Sequence, residues 1–385
     1  VFTTSIIPES RLPEKLTKID KLDKTDNTAI YSEIPGSQYR KVSFAIKLKD
    51  AVEASSTGSP VIAVDYNITG EAERFFTTFV TVDSDNVAIL SKMKSRIHLL
   101  TGKKKTIVKK TRLPSLPDDV SVHSVLLTEK ADMVFIASDN GMVYRFDTHD
   151  FNSPVLAEIF PLLPHGVELN FIDFLTGGQS IIAAGDDFSL NIYFIINNEE
   201  RGILDKKAIT LARSFDISKS SAEFFRPSGR GKSFAVSLNN GGVKIFHATS
   251  EKTLFEFIPD SPGSAVSGIS LAPRMDGIIT VQNSGLVFFR EFEAPHPETT
   301  FKTLFQKVWY EGYPEPGFTW QSSAGTDDYE SKFSLIPLIF GTVKAAAYSL
   351  LFALPVAILG AVYTSEFLSI KMRNTVKPVI EMMAS

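Results

Sequence analysis

The sequence predicts a mainly β fold: a six- or seven-bladed β-propeller, followed by a linker and one transmembrane α-helix. Three observations carry this prediction. Short apolar strands alternate with turn residues over residues 1–306, hairpins recur there at a nearly constant spacing, and one long uncharged stretch lies near the end of the chain.

The first observation is a pattern of short β-strands. Alternating or wholly apolar runs, such as 60–66, 75–82 and 180–185, lie between clusters of Gly, Asn, Asp and Ser. β-Branched and aromatic residues favour strands, whereas Gly, Asn and Asp favour the turns between them. Residues 1–306 are therefore expected to form an all-β domain.

The second observation is a repeat. The second arms of successive hairpins end at Phe146, Phe194, Phe246 and Phe289, and an earlier copy, 87–100, ends at Leu100. The spacings are 46, 48, 52 and 43 residues, close to the about 40–45 residues of a four-stranded propeller blade. The region before residue 75 is long enough for a further blade, and the two ends of the domain could complete a seventh.

Closing such a ring removes the strand edges that so many strands would otherwise expose. No Trp-Asp signature marks the blades, so the predicted propeller is a divergent, WD40-like one. A tandem of β-sandwiches is the alternative architecture.

The third observation is an uncharged stretch with the length of a membrane span. Lys344 is the only charge in 334–363, and residues 345–365 are 21 consecutive uncharged positions. About 20 apolar residues cross a bilayer core as a helix, which satisfies its own backbone groups there. The buried core helix of a soluble protein is the alternative.

Composition on either side of this stretch sets the domain boundaries. Pro, Gly and Ser in 307–333 indicate a linker, and its aromatic residues suit either a membrane interface or packing on the propeller. Three basic residues after the span place 366–385 in the cytoplasm by the positive-inside rule. The predicted organisation is a propeller at 1–306, a linker at 307–333, a transmembrane segment at 334–365 and a basic cytoplasmic segment at 366–385. We expect the chain to be truncated at both ends, because it begins at Val1 and stops soon after the span.

Composition also excludes several kinds of chemistry. The chain has no cysteine, which excludes disulfides, thiolate catalysis and iron–sulfur clusters. Its net charge of −4 implies no general attraction to nucleic acid. The six histidines are scattered without the spacing of metal ligands. We therefore expect neither enzymatic activity nor a cofactor or metal.

One segment, 229–233, resembles the end of a phosphate-binding P-loop. The full pattern requires Gly where Arg226 stands, and the loop should lead into a helix, whereas an apolar strand follows. Without a helix N-terminus the phosphates have no dipole to bind. We interpret the segment as a turn between strands.

A basic cluster is the candidate interaction patch. Residues 92–112 contain nine Lys or Arg and no acid. One interpretation is an outer strand that lysines protect against edge pairing, and the other is a docking surface for an anionic partner or lipid head group. The patch residues are Lys103, Lys104, Lys105, Lys109, Lys110 and Arg112.

The last seventy residues or so carry motifs of a known family. The motifs are Tyr313-Pro314-Glu315-Pro316, Trp320-Gln321-Ser322-Ser323, 334–342 (SLIPLIFGT), Ala353-Leu354-Pro355-Val356-Ala357, Ala361-Val362-Tyr363-Thr364-Ser365 and Lys377-Pro378-Val379-Ile380-Glu381. This segment resembles the start of the permease core of PstC-type phosphate ABC transporter permeases. The matching core positions are Gly341, Thr342, Pro355, Pro378 and Glu381. A subset of such permeases has a large extracytoplasmic insert, which residues 1–306 resemble.

The resemblance implies a subunit of an ATP-driven importer in the bacterial inner membrane, with residues 1–333 on the periplasmic side. The implied partners are a second permease subunit, a cytoplasmic ATPase, a periplasmic phosphate-binding protein and membrane lipid. The propeller would then be an interaction or regulatory domain. The alternative is a membrane-anchored propeller enzyme or sensor unrelated to transport, which polar residues converging on the central channel would favour.

Overall fold

A computed structural model describes most of the chain. The described residues are strands within 2–51, and then 53–71, 74–97, 104–117, 119–198, 205–217, 220–258, 265–323 and 330–384. The first strands are β1 (Phe2–Pro8), β2 (Ile30–Ile34), β3 (Gln38–Val42) and β4 (Phe44–Ala51). β1 pairs with β4 and β2 with β3, both antiparallel.

Five antiparallel sheets follow, each with its strands in chain order. Sheet 1 contains β5 (Val61–Glu71), β6 (Arg74–Asp83), β7 (Ala88–Ile97) and β8 (Lys104–Arg112). Sheet 2 contains β9 (Val122–Leu127), β10 (Met133–Ser138), β11 (Met142–Asp147) and β12 (Val155–Pro161). Sheet 3 contains β13 (Leu169–Phe174), β14 (Ser180–Gly185), β15 (Leu190–Asn197) and β16 (Lys207–Ser214).

The last two sheets complete the series. Sheet 4 contains β17 (Ala222–Pro227), β18 (Ser233–Leu238), β19 (Val243–His247) and β20 (Lys252–Phe257). Sheet 5 has three strands, β21 (Val266–Leu271), β22 (Gly277–Gln282) and β23 (Val287–Glu291). The first strand of each sheet contacts the first strand of the next, as in the radial arrangement of propeller blades.

The core is divided into layers between successive sheets. On β14, Ile181 and Ala183 pack in the cluster shared with sheet 2, whereas Ile182 and Ala184 pack in the cluster shared with sheet 4. Successive side chains of a strand point to opposite faces, and a sheet between two neighbours buries both. This explains why strands such as β14 are continuously apolar, and it confirms the prediction of a mainly β, propeller-type fold.

Asparagine side chains link neighbouring first strands. Asn67 Nδ2 on β5 donates to the carbonyl of Leu127 on β9 at 2.6 Å. Asn170 Nδ2 on β13 donates in the same way to Ala222 on β17 at 3.1 Å. Buried backbone groups need such partners, so these contacts hold adjacent sheets in register.

The predicted hairpin repeats are confirmed in sheets 2 to 5, but the prediction of the earliest hairpin, at 87–100, is wrong. The four later copies are the hairpins β10–β11, β14–β15, β18–β19 and β22–β23. Residues 87–100 were expected to form a strand, a turn and a second strand. Instead, Ala88–Ile97 is one strand, and its hairpin partner is the preceding β6. The polar residues after Leu90 therefore belong to a single long strand and do not form a turn. A blade number of six or seven stays a prediction, because it depends on residues before 53.

Sheets 1 and 5 each expose an apolar face. Val64 and Tyr66 on β5 are exposed, and so are Val287 and Phe289 on β23. These side chains lie on the first and last strands of the series of five sheets. The series therefore ends in apolar surface on both sides.

Helices dominate the end of the chain. The elements are α1 (Phe301–Phe305), the short strands β24 (Trp320–Gln321) and β25 (Lys332–Phe333), α2 (Ile336–Val362), a π-helical turn (Tyr363–Phe367) and α3 (Ile370–Ala384). No residue of α2 is buried. Residues Ile336–Phe367 are the one helical stretch in the described part that is long and apolar enough to cross a membrane.

Candidate functional site

The permease-like residues are spread along the two C-terminal helices. Gly341 and Thr342 lie near the start of α2, Pro355 lies in its interior, and Pro378 and Glu381 lie in α3. All five are exposed. The Thr342 hydroxyl donates to the carbonyl of Ile339 at 2.8 Å, so it is satisfied within its own helix.

The predicted basic patch is only partly within the described residues. Lys103 lies outside the described residues. Lys104 and Lys105 belong to strand β8, but their side chains are not among those described. The remaining members, Lys109, Lys110 and Arg112, lie on the same strand, the outermost of sheet 1. Lys110 forms a 3.4 Å ion pair with Glu53.

The P-loop-like segment is a turn, as interpreted from the sequence. Residues 229–232 connect β17 to β18, with Gly231 at φ +67°. Lys232 is 4% exposed. Its ammonium group donates to the carbonyl of Thr176 at 2.5 Å, which points the side chain into the protein and away from any solvent-borne phosphate.

The segment predicted to be a linker docks on the propeller. We name residues 306–323 and 330–334 the strap. Glu311 of the strap lies 2.5 Å from the Lys232 ammonium group and accepts a hydrogen bond from Ser180. Trp309 packs edge-on against Phe194 of sheet 3, with ring centroids 5.6 Å apart. The strap is thus fixed to sheets 3 and 4 by both charge and packing.

A second carboxylate extends this buried cluster. Glu330 accepts hydrogen bonds from the Thr249 hydroxyl and, at 2.8 Å, from the backbone amide of Glu311. Arg213 donates to the carbonyl of Trp309. Lys332 lies over the ring of Tyr310 at 5.7 Å. Three cationic side chains, Arg213, Lys232 and Lys332, therefore lie with two carboxylates in one cluster, and we name these five residues the strap cluster.

Burial governs the ionisation of this cluster. Burial raises the pKa of Glu311, and the neighbouring Glu330 raises it further, while Lys232 opposes both. Burial lowers the pKa of Lys332. Next to the cluster, burial lowers the pKa of His247 to about 4, with the charge of Arg213 acting in the same direction. Burial away from water raises the free energy of each charged form unless an oppositely charged partner compensates it. The charged state of the strap cluster therefore depends on the ion pairs within it.

The strap lies on one face of the propeller, which we name the strap face. It contacts the β13–β14 turn, through Ser180 at its end, and the β17–β18 turn, through Lys232. In an antiparallel sheet of four strands, the first and third turns lie at the same end. Gly312 of the strap also lines a surface depression together with Lys130 and Gly178, from the corresponding turns of sheets 2 and 3.

The first strands of sheets 1, 3 and 4 carry a second polar arrangement. Asp65 on β5 accepts a hydrogen bond from the amide of Leu127 at 2.7 Å. Burial raises the pKa of Asp65. Burial also raises the pKa of Asp173 on β13, with a smaller contribution from the charge of Asp65 and an opposing one from Arg226. Two partly desolvated carboxylates and a guanidinium group thus lie close enough to interact electrostatically.

A metal centre has no candidate in the part of the chain that the structure describes, where no group of three or more His, Asp or Glu side chains is placed to hold an ion. Other buried charges are paired within the protein. Arg145, for example, pairs with Glu158 at 3.0 Å and with Asp205. These contacts connect sheet 2 to the start of β16.

Comparisons with known proteins identify no family for the chain. No family model matches it, and no curated protein matches it. Among solved structures, it is similar to the β-propeller domain of Cps50 (Swd1) from Myceliophteria thermophila, with 13% sequence identity and a TM-score of 0.43. The match covers 56% of this chain and 67% of that one.

Proposed function

We propose that the chain is part of the permease subunit of an ABC-type phosphate importer, in which the propeller is an extracytoplasmic interaction or regulatory domain. The observation that carries this proposal is the strap, which attaches the propeller to the start of an apolar, exposed helix. The permease-like motifs of that helix and of α3 supply the link to phosphate import.

The connection between the propeller and the helix is short. Ser334 is fully buried, and its amide donates to the carbonyl of Thr319 at 3.1 Å. The amide of Leu335 donates to Leu304 at 2.8 Å, and α2 begins at the next residue. A partner that reorients the propeller would therefore act on the helix without a flexible tether between them. A ligand shifts a conformational equilibrium in this way only if it binds one arrangement more tightly.

The proposed topology follows from charge. Lys371, Arg373 and Lys377 come after the span, so this end lies in the cytoplasm and residues 1–333 lie on the periplasmic side of a bacterial inner membrane. The partners would be a second permease subunit, a cytoplasmic ATPase and a periplasmic phosphate-binding protein. The propeller is on the side where it can meet the binding protein.

The test is capture of the phosphate-binding protein by the full chain in a neutral detergent, at low and at physiological salt. We expect retention at low salt, with a sulfate-binding protein of the same compartment as the control. Absence of retention at low salt, or equal retention of the control, would contradict the proposed interaction.

The polar groups on the first strands of sheets 1, 3 and 4 favour a second candidate, a membrane-anchored propeller sensor or enzyme. Asp65, Asp173 and Arg226 offer polar groups to a small solute there. The two functions differ in what Asp65→Asn/Asp173→Asn should change. A sensor would lose solute-dependent thermal stabilisation, whereas capture of a protein partner on an outer face would be unaffected.

A further inference from the structure

A groove on the strap face lies between sheets 1 and 2. Its volume is about 490 Å³. It is lined by three lysines, three apolar side chains and one amide: Lys92, Lys94, Lys109, Phe76, Ile107, Phe151 and Asn152. Only Lys109 belongs to the basic patch predicted from the sequence. We name this site the lysine groove.

Two of its lysines share one aromatic ring. The ammonium groups of Lys92 and Lys94 lie 4.7 and 4.6 Å from the centroid of Phe76. Lys109 stands directly opposite Lys92 in the pairing of β7 with β8. Among the residues described with side chains, none of the three lysines forms an ion pair. Each ring contact contributes only about 0.5–1 kcal/mol at an exposed site, so the like charges are left to repel one another.

The groove continues into a neighbouring depression with an unsatisfied hydroxyl. Lys92 and Phe151 line both, and Thr78 and Lys130 line the second. Thr78 is 2% exposed, and its hydroxyl has no hydrogen-bond partner in the described part of the chain. The one carboxylate there, Asp132, already accepts a hydrogen bond from Thr128. A cationic rim, an apolar floor and a free buried donor together suit an anionic group attached to an apolar body.

The position of the groove points to the membrane. Lys130 lines the depression that contains Gly312 of the strap as well as the one beside the groove. The groove and the strap therefore lie on the same face, and α2 begins directly after the strap. If α2 spans the bilayer as proposed, this face is next to the lipid head groups. Basic sites at such a position attract anionic lipid, by about 1 kcal/mol for each Lys near the surface.

We propose that the lysine groove binds the head group of an anionic phospholipid. The phosphate lies between Lys92, Lys94 and Lys109, and the glycerol and upper acyl chain contact Phe76 and Phe151. This inference rests on the proposed membrane span but not on phosphate transport. Binding there ties sheets 1 and 2 to the membrane surface, while the strap ties sheets 3 and 4 to α2.

The test measures lipid retained by the full chain after purification in a neutral detergent with mixed phosphatidylglycerol and phosphatidylcholine. We expect selective retention of phosphatidylglycerol. The double variant Lys92→Gln/Lys94→Gln should weaken that retention about 30-fold at low salt, as the sum of two such contributions. The matched control, Lys110→Gln/Arg112→Gln, removes two exposed basic side chains of β8 that do not line the groove and should retain the lipid like the unmodified chain.

Two further measurements complete the test. Phe151→Ala should reduce retention when it is compared with the unmodified chain at equal folded fraction, because Phe151 also packs against the core between sheets 1 and 2. Glycerol phosphate without acyl chains should compete only weakly because it leaves the apolar floor empty. Equal retention by the lysine variant and its control would overturn the proposal. So would binding of a soluble acidic peptide through Lys92 and Lys94 with no selectivity for phosphatidylglycerol, since the groove would then serve a protein partner. A chain that is recovered without detergent would instead contradict the membrane span itself.

Discussion

Lys232 in the β17–β18 turn and Glu311 in the strap form an ion pair that is almost wholly buried, with side chains 3% and 8% exposed. The pair joins the propeller to the segment that leads into α2. A buried pair adds little net stability over an apolar pair of the same shape, but breaking it leaves an unpaired charge in a poorly solvated site. Its role is therefore to fix where the strap lies.

Lys232→Met should destabilise the protein by about 3–5 kcal/mol, because Glu311 then remains buried beside Glu330 without its nearest cation. Denaturant unfolding of the full chain in a neutral detergent measures this loss. Lys232→Met/Glu311→Leu should recover a large part of it.

Lys110→Met is the control for this prediction. Its partner Glu53 is 81% exposed, and surface pairs contribute about 0–1 kcal/mol. A loss from Lys232→Met no greater than that from Lys110→Met would show that the strap is not held by this pair.

Stability should fall as the pH is lowered from about 6.5 towards 4, in part because of His247. Its pKa is about 4 in the folded protein and 6.5 as the ordinary value. The unfolded state therefore binds more protons between these values, so the contribution of His247 is complete above pH 6.5 and disappears as the pH falls to 4. The shift corresponds to at most about 3 kcal/mol.

The measurement is the free energy of unfolding against pH for the unmodified chain and for His247→Asn. In the folded protein the backbone amide of Ser250 donates a hydrogen bond to the imidazole Nδ1 of His247 at 3.2 Å. The Asn side chain still offers an oxygen that can accept this hydrogen bond. Glu311, whose pKa is raised, acts in the opposite direction in both proteins. Parallel curves for the two proteins would contradict the assignment to His247.

Gly141→Ala should be more destabilising than Gly166→Ala. Both glycines have positive φ, +76° and +86°, so both variants bear the strain of about 1–2 kcal/mol that a Cβ adds there. At Gly141 the new Cβ would also lie 2.8 Å from Cβ of the buried Leu163, whereas nothing lies within 4 Å at Gly166. Overpacking adds about 1–3 kcal/mol. Thermal unfolding of the two variants isolates this extra cost, and equal midpoints would contradict it.

Leu351→Arg should impair membrane insertion of the chain. Leu351 is 65% exposed near the middle of α2, and an Arg at the centre of a span costs about 2.5–3.5 kcal/mol. Alkaline extraction of membranes measures the inserted fraction. Met383→Arg, in α3 and outside the span, should leave that fraction unchanged. The same loss from both variants would mean that α2 is not the inserted segment.

The sequence was informative about the fold where the pattern is local. Phe146, Phe194, Phe246 and Phe289 mark hairpins because turn chemistry and strand periodicity act within a dozen residues. The sequence left open whether the linker packs on the propeller or lies at a membrane interface, and it did not indicate where the strap docks. Ser180 and Glu311 are 131 residues apart, and no local pattern records which turn a Gly- and Pro-rich segment will contact.

The lysine groove shows the same limit. The basic composition of 92–112 was visible, but a side chain's face depends on strand register. Pairing of β7 with β8 places Lys92 opposite Lys109, and Phe151 comes from a different sheet. The sequence signal was a charge excess, and the pocket arises from tertiary packing.

Because each core layer is shared by only two adjacent sheets, cooperativity in the propeller passes from neighbour to neighbour, as in a linear array. A sheet with neighbours on both sides loses two core layers when it opens. A sheet at either end of the series loses only a single core layer. Amide protons of β14 and β18 should therefore exchange with solvent more slowly than those of β6 and β22. The strap bridges sheets 3 and 4, two of the three sheets that have partners on both sides, so the helix it carries is anchored to the part of the series that opens last.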